Sequence, residues 1–239
     1  MPEITDQIGA SIDTLTREFD SIAHNLANVS TVGYKRRCTP FSKALDMQQE
    51  YSPDAGDASS ALDFSQGNVV ETGRPLDLAL YGKGFFVVET PDGPLYTRSG
   101  VLHINQNDQI VDSMGRVVAG PSGPITIPGN IGISQLSVSS DGAIRAAGTD
   151  VGAFKLVTFK DEGKLVPVGE NCYRMPDQNV TPDAAENVAV KQGYQEASNV
   201  KIIDELVGMI MVSRLYEANM KTISALKDAS NSLTSAAMG

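Results

Sequence analysis

Tryptophan is absent from this chain of 239 residues, aromatic residues make up 6% of it, and it contains two histidines and two cysteines. Cys38 and Cys172 are too few for a disulfide scaffold and lack the spacing of metal ligands, so we expect inert thiols. His24 and His103 stand apart from any group of potential metal ligands, and we expect both to be structural. The sequence therefore predicts no metal site and no cofactor.

Long apolar runs and a basic surface are also missing. No stretch approaches the roughly 18 apolar residues that a membrane-spanning helix needs. The formal net charge of −10 argues against binding to nucleic acid or to anionic membranes. The N-terminal segment carries acidic residues where a signal peptide has basic ones. We therefore expect a chain that stays in the cytosol or leaves it without a cleaved signal, with no membrane insertion.

Motifs of common enzyme classes do not occur. Gly82-Lys83-Gly84 precedes a strand-like run and not the helix of a phosphate-binding loop. Asp92-Gly93 and Asp141-Gly142 are turn formers that lack the ligand pattern of a calcium loop. Asp204 and Glu205 are adjacent on a predicted helix and point to different faces, which makes them a poor acid–base pair. The sequence gives no support for an enzyme.

Both ends of the chain carry an apolar seam with alternating steps of four and three, typical of helices that pack on partners. The first seam consists of Ile4, Ile8, Ile12, Leu15, Phe19, Ile22 and Leu26. The second seam consists of Ile202, Leu206, Met209, Ser213, Tyr216, Met220 and Ile223. We expect the first helix to end near Asn28 and the second to follow a cap at Ser198-Asn199. Charged residues between the seam positions, such as Asp204 and Glu205, are expected to face water.

A helix this long needs a surface on which to bury its apolar stripe. The simplest arrangement is an antiparallel, coiled-coil-like pair of the two terminal helices, closed by the whole middle of the chain. Each seam could also pack against other subunits, and both arrangements can hold together in an assembly. An ordinary two-helix layer over a sheet, without assembly, explains the periodicity equally well.

The middle of the chain changes to a period of two and to short apolar runs. We predict strands over residues 76–81, 85–88, 95–98, 101–104, 109–112, 117–119, 125–127, 136–138, 143–145, 154–159, 165–168 and 188–190. Frequent turn signals favour an all-β sandwich or barrel-like domain, and no helical period provides the crossovers of a parallel sheet. The predicted fold class is α+β, with terminal helices and an all-β centre.

The predicted organisation has four parts: residues 1–37, an irregular linker or arm over 38–65, a β-rich domain over 66–194, and the C-terminal helix over 195–239. Within the arm, residues 41–51 fit either a short helix or an irregular segment. Residues 176–187 are polar and predict a loop. The basic run Lys35-Arg36-Arg37 fits a hydrated loop after the first helix, or else a contact with an acidic partner.

Motifs at both ends and in the middle resemble the bacterial flagellar rod and hook proteins. The N-terminal motif spans residues 25–36, the central ones lie at 66–68, 74–80, 82–86 and 95–100, and the C-terminal ones at 193–200 and 214–221. The positions that carry the terminal part of the resemblance are Asn25, Leu26, Ala27, Asn28, Gly33, Tyr34, Gly193, Tyr194, Ser198, Asn199, Tyr216, Glu217 and Asn219. Residues 38–65 and 176–187 add little to it.

The resemblance implies a structural subunit of the flagellar basal body. It implies that the terminal helices pair in the inner layer of a helical tube, with the β-rich middle outside. The implied partners are copies of the chain, other rod and hook proteins, and the type III flagellar export apparatus, which needs no cleaved signal. The chain has room for one β domain and lacks the larger insert of hook proteins, so it is most like a rod protein, of the proximal-rod or the distal-rod type.

Two seams that one partner cannot bury invite lateral contacts, and a repeated heterologous contact builds a helical tube. We expect the ends to be partly disordered before assembly and to fold on it. The competing hypothesis is a soluble β-rich binding module with a helical hairpin, outside any filament, which predicts a monomer with ordered ends and a formed pocket.

Overall fold

The computed structural model describes residues 2–39, 61–129, 131–177 and 179–238, and the side chains at positions 2–6, 230, 233, 237 and 238 lie outside that description. The fold is α+β, with an N-terminal helix, a β-rich centre and a C-terminal helix, as predicted. Most of the predicted arm over residues 38–65 falls on 40–60, outside the described residues. The described residues divide into a helical unit and a β-rich unit.

The helical unit comprises Met1–Ala27, Arg37–Asp63 and Val200–Gly239. Its elements are α1 (Pro2–Ala27), α2 (Ile202–Met238), β1 (Arg37–Cys38) and β2 (Ala61–Leu62), and the two strands pair antiparallel. Helix α1 ends where Asn28, Ser30 and Thr31 compete for the backbone, and the Thr31 N–H donates to the Asn28 carbonyl at 3.0 Å. Helix α2 begins at Ile202, three residues beyond the predicted cap.

The β-rich unit comprises Asn28–Arg36 and Phe64–Asn199. Its described strands are β3 (Val69–Glu71), β4 (Leu78–Tyr81), β5 (Phe85–Thr90), β6 (Gly93–Thr97), β7 (His103–Ile104), β8 (Ile110–Val111), β9 (Val117–Gly120), β10 (Gly123–Pro124), β11 (Leu136–Val138), β12 (Ala143–Ala146), β13 (Thr149–Ala153), β14 (Leu156–Thr158), β15 (Val166–Gly169), β16 (Cys172–Arg174), β17 (Asp183–Ala184), β18 (Ala189–Gln192) and β19 (Tyr194–Glu196).

Strand β5 is central to the largest sheet, whose main path runs β15-β16-β6-β5-β9-β8-β7. Strand β10 pairs with β9, and β14 pairs with both β5 and β17. Separate antiparallel ladders join β11, β12 and β13, and join β4 with β18 and β3 with β19. The last two ladders place Val190 opposite Leu80 and Gln195 opposite Val70, so the end of this unit pairs with its first strands.

The core of the β-rich unit is built from alternating strand residues. Leu78, Leu80, Phe86, Val88 and Ile144 are fully buried in one cluster. Apolar burial of this kind is the dominant favourable contribution to folding.

Aromatic rings fill the opposite side of β5. The Phe85 ring lies edge-to-face with Phe64, Phe159 and Tyr173, at centroid distances of 5.5, 6.1 and 6.1 Å. Four consecutive residues of β5, Phe85 to Val88, are therefore buried.

Several strand predictions need correction. Residues 125–127 form no regular strand: Thr126 makes an isolated bridge with Gln109, although Ile125 and Ile127 are buried. The predicted loop over 176–187 contains β17, and β13 was not predicted, because its Thr-Asp-Val-Gly-Ala sequence has little strand propensity. Within the described residues, no helix is apolar and long enough to cross a membrane. Cys38 and Cys172 are buried thiols.

Candidate functional site

The β-rich unit contains a cluster of buried charges formed by Lys35, Arg98 and Glu196, here called the ion cluster. The three side chains are 1%, 3% and 0% exposed. Lys35 Nζ lies 2.7 Å from Glu196 Oε1, and Arg98 donates from Nε and Nη2 to Glu196 Oε2 at 3.0 and 2.9 Å. Charged groups are rarely buried unless they are paired in this way.

Backbone groups complete the ion cluster. Arg98 Nη1 donates to the carbonyl oxygens of Gly82 and Gly84, at 2.8 and 2.6 Å. Lys35 Nζ donates to the Ser65 carbonyl at 2.6 Å, and the Gly67 N–H donates to Glu196 Oε1 at 3.0 Å. The cluster thus joins segments from five parts of the sequence, and its charged side chains are almost completely buried.

Asn25 and Gly33 of the N-terminal motif each make specific contacts with the backbone. In the helical unit, Asn25 Oδ1 accepts from the Arg37 N–H at 2.8 Å, and Asn25 Nδ2 donates to the Arg37 carbonyl at 2.9 Å. In the β-rich unit, Gly33 has φ +70 and donates its N–H to the Glu196 carbonyl at 2.7 Å. A side chain at Gly33 would come within 2.6 Å of the Ser99 nitrogen.

Asn199, predicted as a helix cap, has a different role. Its Oδ1 accepts from the Arg36 N–H at 2.7 Å, and its Nδ2 donates to the Ser65 carbonyl at 3.2 Å. It therefore joins the N-terminal motif to the end of the β-rich unit. Gly193 has φ +80 and donates its N–H to the Asp77 carbonyl at 2.8 Å, which explains a glycine at the turn between β18 and β19.

The remaining motif positions are spread over both units. Tyr34 is buried. Leu26, Asn28, Tyr194, Ser198 and Asn219 are half-buried, and Ala27, Tyr216 and Glu217 are exposed.

A second polar contact of the helical unit lies along α1. Glu18, Ser21 and Asn25 are buried at spacings of three and four. Ser21 Oγ donates to the Arg37 carbonyl at 3.3 Å, and Thr39 Oγ1 donates to Glu18 Oε2. One face of α1 therefore binds the extended segment 37–39 through polar groups.

Helices α1 and α2 contact each other through a small apolar cluster. Leu15, Ile22 and Val212 are buried there, with Leu26 and Met209 packed around them. Gly208 in α2 allows the Ile22 side chain to approach closely. Asn219 Nδ2 donates to Ser11 Oγ at 3.0 Å.

The other seam residues lie outside that cluster. Ile8, Ile12 and Ile223 are half-buried; Phe19, Ile202, Leu206, Tyr216 and Met220 are exposed; the Ile4 side chain lies outside the described residues. Of the second seam, Met209 is the member that packs in this apolar cluster, and Val212, which the seam omits, is buried in it. The prediction that Glu205 stays in water is wrong, since it is 1% exposed and accepts from Asn25 Nδ2 at 3.3 Å.

Helix α2 exposes an unusual amount of apolar surface. Its exposed large apolar residues are Ile202, Ile203, Leu206, Val207, Ile210, Met211, Leu215, Tyr216 and Met220. A groove of about 390 Å³ lies beside them and is lined by Leu15, Thr16, Phe19, Val212, Ser213, Tyr216 and Glu217. The helical unit therefore has an apolar surface that the described part of the chain does not cover.

Sequence reasoning missed the ion cluster. The hydrated-loop interpretation of Lys35-Arg36-Arg37 is wrong for Lys35, whose acidic partner is Glu196 of the same chain. The available signal was the position of Arg98 and Glu196 inside motifs shared with a known family. Within the described ranges, no group of three His, Cys, Asp or Glu residues could hold a metal ion.

Comparison with known proteins identifies relatives of both units. Residues 79–146 match the family described as "flagellar hook protein FlgE/F/G D1 domain". Residues 191–236 match the family described as "flagellar basal body rod FlgEFG protein C-terminal". The flagellar basal-body rod protein FlgG of Buchnera aphidicola subsp. Baizongia pistaciae (strain Bp) is 33% identical over an alignment of 241 positions, and the alignment spans 89% of this chain and 91% of that protein.

Other relatives have similar coverage. The flagellar basal-body rod protein FlgF of Caulobacter vibrioides is 33% identical over 230 residues, covering 92% of this chain and 91% of that protein. FlgG of Bacillus subtilis (strain 168) is 31% identical over an alignment of 234 positions, which spans 86% of this chain and 88% of that protein. Fold and relatives together define a structural protein of the bacterial flagellum. The chain belongs to the family of flagellar basal-body rod proteins.

Proposed function

We propose that this rod subunit assembles through its terminal helices, with neighbouring copies covering the apolar surface of α2. The observation that carries the proposal is the exposure of that surface, above all at Ile203, which is 75% exposed. A helix with one partner needs a single apolar stripe, whereas a helix that is apolar on several sides needs several partners. Repetition of such contacts between copies produces a helical tube.

The terminal helices form an antiparallel, coiled-coil-like pair in this proposal. The order of contacts supports it: Gly208 lies at Ile22, Val212 at Leu15 and Ile22, and Asn219 at Ser11. Residue numbers thus rise along α2 as they fall along α1. The groove beside Phe19 and Tyr216 supplies a second apolar surface for a neighbouring copy.

The further partners are other flagellar rod and hook proteins, and the subunit passes through the flagellar export apparatus without a cleaved signal. The names of the relatives, which are flagellar basal-body rod proteins, support the partnership with other rod and hook proteins. The exposed apolar residues of α2 support a gain of helical order on assembly, because neighbours supply the burial that an isolated helix lacks. Circular dichroism of the purified monomer tests this: we expect helix where α1 and α2 contact each other, but less helix than their full lengths would give. A full complement of stable terminal helix would contradict the proposal.

Assembly is tested with Ile203→Asp. Because Ile203 is exposed, the charge costs the monomer little, but it becomes costly once a neighbour covers it. We expect loss of swimming and of the subunit from basal bodies, as for deletion of residues 200–239. Lys227→Glu, at an exposed position of the same helix, is the control. Wild-type motility of the Ile203→Asp strain would overturn the proposed interface.

A further inference from the structure

Glu196 reaches the ion cluster from the last strand of the β-rich unit, whereas both cations come from much earlier in the chain. Lys35 and Glu196 are 161 residues apart, and Arg98 and Glu196 are 98 apart. Strand β19 carries Glu196 and is held by its ladder with β3, in which Glu196 lies opposite Val69. Chains are synthesised from the N-terminus, so the two cations are present long before the carboxylate.

Without that carboxylate, the unit would have to bury the Arg98 guanidinium without its counter-charge, and Lys35 would lose its contact with Glu196. Removal of one partner from a buried ion pair is strongly destabilising, because the charge left behind has lost both water and its counter-charge. Arg98 would keep its carbonyl acceptors at Gly82 and Gly84, but these are dipoles and do not neutralise it. Hydration of the cations would require residues 28–36 and 64–67 to separate from the sheet.

We propose that folding of the β-rich unit is conditional on the carboxylate of Glu196. Until this group enters the ion cluster, the segments that carry Lys35 and Arg98 do not close, and the unit stays open. The dependence makes the final strand a requirement for the whole unit, including strands more than a hundred residues earlier. It concerns folding within one chain and is independent of assembly into a rod.

Cys172 provides a reporter of opening within the same unit. It is 1% exposed in the core, and burial raises the pKa of its thiol, so the folded unit protects it from alkylation. In full-length chain carrying Cys38→Ser, the alkylation rate of Cys172 follows the population of the open unit. Urea unfolding of the same samples, followed by the near-ultraviolet circular dichroism of tyrosine, gives an independent measure.

The first test is Glu196→Gln, which keeps the shape of the side chain and removes its charge. We expect the open population, and with it the alkylation rate, to rise by about a hundredfold to several thousandfold. Glu89→Gln is the matched control, since Glu89 lies exposed on β5 and should leave the rate unchanged. A Glu196→Gln rate within about threefold of the control would overturn the proposal, given the size expected for a buried pair.

A second comparison separates charge from packing, and it holds even if Glu196→Gln does not fold. Lys35→Met keeps the pairing of Arg98 with Glu196, so we expect a smaller effect than that of Glu196→Gln. In the double variant Lys35→Met/Glu196→Gln, Arg98 is the one cation of the ion cluster, whereas in Glu196→Gln both cations remain. We expect it to be alkylated more slowly than Glu196→Gln. An equal or faster rate in the double variant would overturn the proposal.

Discussion

Close approach of backbone segments around the ion cluster depends on individual glycines. Gly67 donates its N–H to Glu196 Oε1 at 3.0 Å. A Cβ added at this position would overlap the carbonyl oxygen of Ala197, which is part of the backbone and cannot rotate away. The residue therefore has to be glycine for the cluster to close.

Gly67→Ala should lower the free energy of unfolding of the β-rich unit by about 1–3 kcal/mol, the usual cost of forced overlap in a packed site. Gly132→Ala is the matched control, because its added Cβ would meet its nearest neighbour, Ser134 Oγ, at 3.7 Å. Urea unfolding followed by tyrosine circular dichroism measures both. Equal midpoints for the two variants would contradict the close approach at Gly67.

His24 makes the helical unit sensitive to pH. Burial, and secondarily the positive charge of Arg37, lowers the pKa of His24 below its ordinary value of 6.5. The unfolded chain therefore binds a proton more readily than the folded one. The stability that this group contributes is complete above the unfolded pKa and is lost as the pH falls below it.

We expect the midpoint temperature of unfolding of the helical unit to decrease as the pH is lowered from about 7.5 to about 5.5. The decrease should be smaller in His24→Gln. Circular dichroism at 222 nm measures the midpoint in both proteins. The same fall in the variant would assign the pH dependence to other groups.

The charged residues of the ion cluster could not be predicted from the sequence. A prediction from the local sequence assigns charged side chains to the surface, because most charged side chains in proteins are exposed. Lys35 is buried with its ammonium group beside Glu196, which lies 161 residues away in the sequence. Glycine and asparagine motifs could be recognised, but their partners, such as Arg37 for Asn25, depend on pairings between remote segments.

At the scale of elements, the two helices were predictable and the contacting face of α2 was not. The seam of α1 includes Leu15 and Ile22, which do contact α2. In α2, apolar residues surround the helix, so periodicity alone does not select the face toward α1. The face that contains Glu205 and Val212 became apparent only from the contacts.

Two identical substitutions in α2 separate the covered face from the exposed one. Val212 is 2% exposed and Val207 is 49% exposed. Val212→Ala should destabilise the helix pair of the monomer by about 1–3 kcal/mol, from lost burial and a residual cavity. Val207→Ala should change it by less than about 0.5 kcal/mol. Thermal unfolding at 222 nm compares them, and a larger effect at Val207 would contradict the packing described.

At the scale of the whole molecule, each unit is assembled from distant parts of the chain. The helical unit needs residues from both ends, and the β-rich unit closes by pairing β18 and β19 with β4 and β3. Fold class was predictable because periods of 3.5 and of two are local signals. The antiparallel ladders between remote strands could not be predicted, because turn signals do not determine which distant strands pair or in which register.

A cysteine at position 210 tests directly the proposal that neighbouring copies cover α2 in the rod. Ile210 is 56% exposed in the single chain, while Cys38 and Cys172 are buried. We predict that Ile210→Cys reacts readily with a thiol reagent in the purified monomer, and at least about tenfold more slowly in purified basal bodies, as burial would require. Equal rates in the two preparations, or absence of the protein from basal bodies, would contradict the account.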